Sequence, residues 1–327
     1  MSTLANVRTL RGPSRVLLRV HRRTLWAAGA VAAAAVIGMI AVALRADQVS
    51  GDFAGTGCTL SSTVDACFQP ARDYSDRMLD LSRLLTDTGL ALIALPAVVG
   101  AFAAGPMVAR EWESNHVKLS WTQSSPPAAW LTARLAVPAV LVVCGITVLS
   151  AVLSWSRGRL GNPYPAIWHD ISVFGASGTV PAAGALMSLA LGVLAGLTLR
   201  RTVPAMAAGL FVSGLVTVFL GVLRDRLWPT ARDTFTLGDD YVWPDGAAIV
   251  EWGWVTNRGT VLPADICAHT SADPEVCLPE HGVDHGYLDH HPASHYWPLQ
   301  LVETGILLAL AALAVFAAFR VLRRLHG

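Results

Sequence analysis

The polar residues best suited to chemistry lie between two long apolar stretches, in the segment GPMVAREWESNHVKLSWTQS at residues 105–124. The Gly-Pro pair at its start loosens a helix, and the Arg-Glu-x-Glu run that follows carries the chain into water. Asn115 suits a turn with positive φ, and prolines at positions 126 and 127 end the segment. The pattern predicts a polar helix–turn–short helix finger, and the alternative is an ordinary loop.

Four charged residues near or within apolar stretches form a second candidate group. Asp80, Arg83 and Asp87 are spaced by three and four residues, which places them on roughly one face of a helix. Glu303 follows about two turns into the last apolar stretch, and a charge at such depth is costly and usually faces protein or water. These residues are either a polar gate or substrate contact, or a cluster that ties helices together.

Histidine is concentrated near the C-terminal end, at His269, His281, His285, His290, His291 and His295. Histidine is a common zinc or copper ligand, and Asp284 and Asp289 are interleaved with these residues. The sequence contains no ligand pattern such as H-E-x-x-H, and no G-x-S-x-G motif supports a Ser–His–Asp site. We therefore expect a solvated polar loop with no metal site, and metal binding is the alternative.

Six apolar stretches must position these residues. The 327-residue chain is 53% hydrophobic and 14% charged, with a mean hydropathy of +0.48, whereas soluble domains carry about a quarter charged residues. The stretches are Leu25–Leu44, Leu84–Ala109, Leu131–Trp155, Thr179–Leu199, Thr202–Leu223 and Trp297–Phe319. Each is long enough for a hydrocarbon core that needs ~20 residues. They predict an all-α membrane protein with about six transmembrane helices. The first stretch has no small-residue cleavage site, so we expect that no signal peptide is removed.

Six spans place both chain termini on one side of the membrane, here named the terminal side, and the other side is the distal side. Fourteen of the 24 basic residues fall on the terminal side: Arg8, Arg11, Arg15, Arg19, Arg22, Arg23, Arg110, Lys118, Arg134, Arg200, Arg201, Arg320, Arg323 and Arg324. The positive-inside rule counts such residues near the spans. It predicts that both termini are cytoplasmic.

Four of the five cysteines fall on the distal side, at Cys58, Cys67, Cys267 and Cys277, whereas Cys144 lies inside a span. This distribution fits an oxidising exterior. Four cysteines allow three pairings. The short spacings favour Cys58 with Cys67 and Cys267 with Cys277 as loop staples, and unpaired thiols are the alternative.

The chain divides into four regions. The first is predicted to be a cytoplasmic interfacial helix, because Arg15, Arg19 and Arg22 recur at helical spacing; a plain basic anchor is the alternative. The long distal segment can hold a small folded element, and its aromatic residues indicate an interfacial belt or a small core. The boundaries are 1–24 for the first region, 25–223 for spans one to five with the finger at 110–127, 224–296 for the exterior loop, and 297–327 for the sixth span and a basic cytoplasmic tail.

The finger sequence resembles the permease subunits of bacterial ABC-type drug exporters, particularly those of actinobacteria. That family shows a pattern close to A-P-L-V-A-R-E-x-E-x-G-T-x-R-L-x-W-T-Q-S after its second span. The start of the last span, YWPLQLVETG at 296–305, also matches. Asn115 and His116 replace the glycine and threonine of the pattern. The matching finger positions are Pro106, Val108, Ala109, Arg110, Glu111, Glu113, Lys118 (in place of arginine), Leu119, Trp121, Thr122, Gln123 and Ser124.

The resemblance implies that the finger docks on a separate ABC ATPase subunit. Two permease copies, identical or different, would lie in a lipid bilayer, and each would bind to one of two ATPases. The implied docking residues are Arg110, Glu111, Glu113, His116 and Lys118. ATP and Mg²⁺ would bind to the partner, and we expect no cofactor and no nucleic acid on this chain. The sequence agrees, since it contains no G-x-x-x-x-G-K-[ST] phosphate loop and no Rossmann fingerprint.

The expected function is that of a non-enzymatic permease subunit in the bacterial plasma membrane. Its cargo would be hydrophobic or amphipathic compounds such as drugs, antibiotics or lipids. One alternative is a membrane-bound enzyme or metal-binding protein that uses the histidine-rich exterior loop. Another is a sensor or immunity protein that only binds a partner.

Overall fold

The structure is a computed structural model that describes residues 22–114, 127–237, 241–268 and 274–325. Six helical segments in these ranges are long and apolar enough to cross a membrane, which confirms the predicted number of spans. The predicted interfacial helix at 1–24 lies almost entirely outside the described residues. The six segments are Arg22–Gly55, Asp65–Glu113, Pro127–Arg157, Val180–Leu199, Thr202–Arg226 and Ala293–Arg324.

The elements fall into two compact units, a membrane unit and a sheet unit made mainly of residues 222–302. In chain order the helices are α1 (Arg22–Gly55), α2 (Asp65–Val99), a π segment (Gly100–Ala104), α3 (Gly105–Glu113), α4 (Pro127–Arg157), α5 (Ile171–Phe174), α6 (Val180–Leu199), α7 (Thr202–Leu223), α8 (Pro274–Glu280) and α9 (Tyr296–Arg324). The strands are β1 (Ala231–Thr236), β2 (Ala248–Thr256), β3 (Val261–Pro263) and β4 (Val283–His291).

The first two helices extend well beyond the predicted apolar spans. The apolar stretches end the first span at Leu44 and begin the second at Leu84, but α1 continues to Gly55 and α2 begins at Asp65. Apolar composition indicates which residues can lie in lipid but not which residues form a helix. It therefore does not predict the polar ends of these two helices. Packing supports the extensions, since the rings of Phe53 and Tyr74 stack with their centroids 4.4 Å apart.

The second span changes its helical geometry in the middle. After α2 the π segment interrupts the α-helical ladder, and the Gly105 N–H donates to the Gly100 carbonyl five residues earlier. Single-turn π segments of this kind often lie at functional sites. Pro96 and Pro106 flank the segment, and neither can donate a backbone hydrogen bond. The predicted loosening at the Gly-Pro pair therefore takes the form of a wider helical turn.

The second and fourth spans pack with almost no side chain between their backbones. A Cβ atom on Gly100 would overlap the Ser188 carbonyl, and one on Gly192 would overlap the Gly100 carbonyl. A Cβ atom on Gly196 would lie only 2.8 Å from the Gly105 oxygen. Small residues let membrane helices approach closely enough for dispersion contacts between backbones. This glycine seam fixes the π segment and α3 against α6.

The terminal-side end of the membrane unit is held by a buried apolar cluster. It joins α3 and α4 to α6 and α9, so the helices around the start of the finger share one core. Its largest members are almost completely buried. They are Val108, Trp130, Leu131, Leu189, Val193, Leu197 and Leu322.

The sheet unit contains a four-stranded antiparallel sheet in the order β1-β4-β2-β3. The sequence predicted a small folded element in this region but not its strands. On one face Arg232 donates to both carboxylate oxygens of Asp289 at 2.6 Å, and Tyr287 donates to Glu251 at 3.1 Å. The hydrogen bond from Arg232 is the main cause that lowers the pKa of Asp289. This fork joins β1 to β4.

Substitution in the glycine seam should destabilise the membrane unit. We expect Gly192→Ala to lower the melting temperature of the purified protein, because overpacking a filled site costs about 1–3 kcal/mol. Gly214→Ala is the matched control, since a Cβ atom there has no neighbour within 4 Å. Equal melting temperatures for the two variants would contradict close packing at the seam.

The Arg232–Asp289 fork should stabilise the sheet unit only where Asp289 is ionised. The folded-state pKa of Asp289 is depressed. The free energy that the fork adds to the stability of the folded state is therefore complete above the unfolded-state pKa of about 3.9. It is lost as the pH falls through the folded-state pKa. Arg232→Gln should therefore cost about 1 kcal/mol near pH 7, reduced by the 56% exposure of the Arg232 side chain.

This pH dependence can be followed by urea unfolding monitored by tryptophan fluorescence. The difference between Arg232→Gln and the unsubstituted protein should shrink steadily as the pH is lowered below about 4. Arg258→Gln, at an exposed turn, serves as the control. A difference that stays constant at all pH values would show that the fork acts through packing and not through charge.

Candidate functional site

The predicted finger begins as the helix α3, which presents two different faces. Val108 and Ala109 are buried in the membrane unit, whereas Arg110 and Glu113 are exposed. Ser114 ends the helix, and its N–H and hydroxyl both donate to the Arg110 carbonyl, at 3.0 and 2.8 Å. The rest of the finger, at 115–126, lies outside the described residues, and with it the predicted docking residues His116 and Lys118.

Glu111 joins the start of the finger to the third span. Its carboxylate accepts a hydrogen bond of 3.0 Å from the Trp130 indole N–H and a bond of 3.2 Å from Arg134 Nε, with Arg134 Nη2 as a further donor. The Arg134 guanidinium also lies 4.1 Å from the centre of the Trp130 ring. The Glu111 and Arg134 side chains are only 28% and 14% exposed, so this ion pair is shielded from solvent and from salt.

Glu113 joins the same helix to the fifth span. Its two carboxylate oxygens accept hydrogen bonds from the Thr202 N–H at 2.9 Å and from the Thr202 hydroxyl at 2.6 Å. Thr202 is the first residue of α7, where backbone N–H groups lack helical partners and negative charge is stabilised. Beside this contact, the Arg200 guanidinium lies 5.1 Å from the Trp112 ring centre.

These contacts form a polar junction, named here the basal clasp and defined as Glu111, Glu113, Trp130, Arg134 and Thr202. Two carboxylates within one turn of α3 hold the beginnings of α4 and α7. The hydrogen bonds therefore connect α3 directly to the starts of the third and fifth spans. The sequence identified the two glutamates but gave no signal for their three partners, which lie 19 to 89 residues away along the chain.

The charged group on α2 stays within one helix. Asp80 and Arg83 are 3.9 Å apart, and their side chains are 76% and 68% exposed. Asp87 is also exposed, whereas Leu85 and Gly89 between and beyond these residues face the protein. Asp80 and Arg83 therefore lie on the exposed face of α2. The described contacts of this pair do not connect α2 to another helix.

Glu303 lies inside the protein, as expected for a charge within a span. It is the eighth residue of α9, about two turns from the helix start, and it is only 4% exposed. Gln300 is fully buried on the preceding turn. One residue further along, the hydroxyls of Thr304 and Thr179 are 2.7 Å apart, which connects α9 to the start of the fourth span.

Arg157 is a buried charge that the sequence reasoning missed. It ends α4, is 6% exposed, and donates to the Ser172 and Leu85 carbonyls at 2.9 and 3.0 Å. Gly89 leaves room for the guanidinium, since a Cβ atom there would overlap it. A cavity of about 40 Å³ lies beside it. An arginine at the end of an apolar stretch gives no hint in sequence that its partners are backbone carbonyls of distant segments.

Both predicted disulfides are present, with Cα–Cα distances of 5.5 Å for Cys58–Cys67 and 6.0 Å for Cys267–Cys277. The local pairing predicted from spacing is thus confirmed. The first bridge closes the short connection between α1 and α2. The second joins the end of the β3 region to α8.

The histidine-rich segment is part of the sheet and not a loop, since His285, His290 and His291 lie on β4. His291 is fully buried, and its ring nitrogens lie 3.0 Å from the Asp225 carbonyl and 3.0 Å from His295 Nδ1. Within the described ranges, no group of three or more His, Cys, Asp or Glu side chains is arranged to hold a metal ion. His269 lies outside those ranges.

Comparison with known families shows a match to the model described as "ABC-2 membrane transporter related" over residues 22–224. The chain belongs to this family. No curated protein and no solved structure matches it. As an ABC-2 type permease, the protein is a multi-pass membrane subunit of a transporter, and the family implies an ABC ATPase subunit as partner. The matched residues include the glycine seam and the whole basal clasp, whereas most of the sheet unit lies beyond them.

Removing the Glu113 carboxylate should expose the first backbone amide of α7. In the permease variant Glu113→Ala, we expect faster hydrogen–deuterium exchange in peptides that begin several residues before Thr202 and include it, because its N–H loses its acceptor. Arg110→Ala is the control, since this exposed neighbour does not contact Thr202. Unchanged exchange in Glu113→Ala would show that the contact does not persist in solution.

Proposed function

We propose that this permease is the membrane subunit of an ATP-driven exporter of hydrophobic or amphipathic compounds in the plasma membrane of a bacterium, in particular an actinobacterium. The finger at 110–127 docks on a separate ABC ATPase, which binds ATP and Mg²⁺. The observation that carries the proposal is the basal clasp, because it connects the finger directly to two spans. A finger that served only as a loop would not need these contacts.

In the proposed mechanism, the ATPase moves the finger and the clasp transmits that movement. Closure of the ATPases around ATP displaces α3, and the displacement reaches α4 through Glu111 and α7 through Glu113. The glycine seam carries the same displacement to α6, because closely packed backbones cannot yield independently. The spans then tilt towards a state that is open on the distal side.

Arg110, Glu111, Glu113, His116 and Lys118 remain the proposed docking residues, but they divide into two roles. Glu111 and Glu113 use their carboxylates inside the chain, so we assign them to orienting the finger. Exposed Arg110, together with His116 and Lys118, provides positive or titratable groups for the ATPase surface. Electrostatic complementarity of this kind sets specificity and association rate.

The terminal side is proposed to be cytoplasmic, which places the finger with the ATPase and both disulfides in the oxidising exterior. A second permease copy, identical or different, completes the transporter. Asp80, Arg83 and Asp87 on the distal part of α2, and buried Glu303 on α9, are the proposed gate or substrate contacts. Apolar spans suit a cargo that is at least partly apolar.

Docking can be tested by co-purification of the permease with its partner ABC ATPase after the two are co-expressed. We expect the double variant Arg110→Glu, Lys118→Glu to lose most of the complex while the permease keeps its melting temperature, because the clasp glutamates are unchanged. Glu111→Ala with Glu113→Ala should also lose the complex, through a finger that is no longer oriented. The control is Asp73→Ala with Asp76→Ala, which removes two exposed acids from α2.

Two results would overturn the proposal. The first is an intact complex in both finger variants. The second is labelling of single cysteines at 110–125 by a membrane-impermeant reagent added to intact cells, since a finger outside the cell cannot reach an ATPase inside it.

A further inference from the structure

Five aromatic side chains of the sheet unit form one continuous contact chain. Each ring touches the next, and the centroid distances are 4.5 Å for Phe235–Tyr241, 5.9 Å for Phe235–Trp254, 6.1 Å for Trp252–Trp254, 5.7 Å for Trp243–Trp252 and 6.4 Å for Tyr241–Trp243. The first pair is stacked and the other contacts are edge-to-face, which are favourable geometries for aromatic pairs. We name this set the aromatic ladder.

Strand register places three of these rings on one face of the sheet. Phe235 on β1 and Trp254 on β2 both lie opposite Gly286 on β4, and Trp252 lies opposite Leu288. Gly286 has no side chain, so the Phe235 ring lies directly over its backbone. The Trp254 indole N–H donates to the Ala264 carbonyl at 3.3 Å, which fixes that ring. The ladder is therefore a preformed surface and not a set of independent side chains.

The ladder is not closed over by the residues that the structure describes. Trp243 is 41% exposed and Trp252 is 37% exposed, although both rings are packed against other ladder members. Val242, beside them in the chain, is 82% exposed. A contiguous aromatic surface that remains open to solvent usually marks an interaction site.

Charge favours one class of ligand for this surface. Residues 222–302 contain twelve Asp and Glu against four Arg and no Lys, a net charge of −8 with histidine neutral. One of these carboxylates meets the ladder itself, since the Tyr241 hydroxyl donates to Asp233 at 3.0 Å. Aromatic faces attract cations through their quadrupoles. The same negative charge disfavours anionic lipid surfaces and anionic ligands.

We infer that the aromatic ladder is a binding site for planar organic cations. The rings of Trp243 and Trp252 are nearly perpendicular, so the ring of such a ligand would stack on the exposed face of one and meet the edge of the other. The Asp233 carboxylate beside Tyr241 and the net negative charge of residues 222–302 would favour its positive charge. The inference rests on the sheet unit alone, so it is independent of the ATPase docking proposed above. If the export proposal failed, the site would still be expected to bind such cations.

Binding can be measured by equilibrium dialysis of the full-length permease in phosphatidylcholine nanodiscs, with N-methylquinolinium as the probe and empty nanodiscs as the blank. We expect saturable binding that weakens as salt is raised, because charge contributes to it. Neutral 1-methylnaphthalene has a similar shape and should show at least fivefold less protein-dependent binding. Trp243→Ala with Trp252→Ala should weaken quinolinium binding at least fivefold, and phenylalanine at both positions should restore much of it.

Trp26→Ala is the matched control, because this indole on α1 is 70% exposed but lies outside the ladder. It should leave quinolinium binding unchanged. The inference is overturned if the neutral probe binds equally well, if the double alanine variant binds normally while keeping its melting temperature, or if all uptake is matched by empty nanodiscs. The last result would show that the probe partitions into lipid and does not bind to the ladder.

Discussion

Two helices in lipid can bring their backbones into contact only where side chains are small or absent, and this constraint organises the membrane unit. Gly100 and Gly105 on one partner meet Gly192 and Gly196 on the other. Lipid tails provide no hydrophobic drive for this contact, so its stability comes from the number of atoms brought together. The seam sets the height and rotation of α3 against α6. In that setting Glu111 and Glu113 both reach their partners on α4 and α7.

The spans, and the helix with which the predicted finger begins, could be predicted from sequence, because both depend on local composition. Apolar stretches of sufficient length reveal the six crossings, and the short cysteine spacings reveal both disulfides. The Gly-Pro and Arg-Glu-x-Glu pattern predicted the helix that appears as α3, and the rest of the finger stays a prediction. Each of these signals is contained within a few tens of consecutive residues.

Other features depend on contacts between distant segments and could not be predicted in this way. The Thr202 partner of Glu113 lies 89 residues away, and the carbonyl partners of Arg157 belong to two other segments. The helical ends beyond the spans are polar, so hydropathy does not report them. The strands of the sheet unit carry mixed polar and aromatic residues without a clear alternation, and their pairing is decided by long-range register.

The second span has a mechanical property that follows from its length. Residues Asp65–Glu113 form one run of 49 helical residues, which at 1.5 Å per residue extends about 70 Å, more than twice the ~30 Å thickness of the hydrocarbon layer. About 40 Å of this rod therefore stands outside the lipid. Pivoting the rod by about 10° would swing a tip 40 Å away by about 7 Å, a distance greater than one helical turn. A small rotation of this helical segment near the bilayer centre therefore produces a large displacement at the end that lies in water.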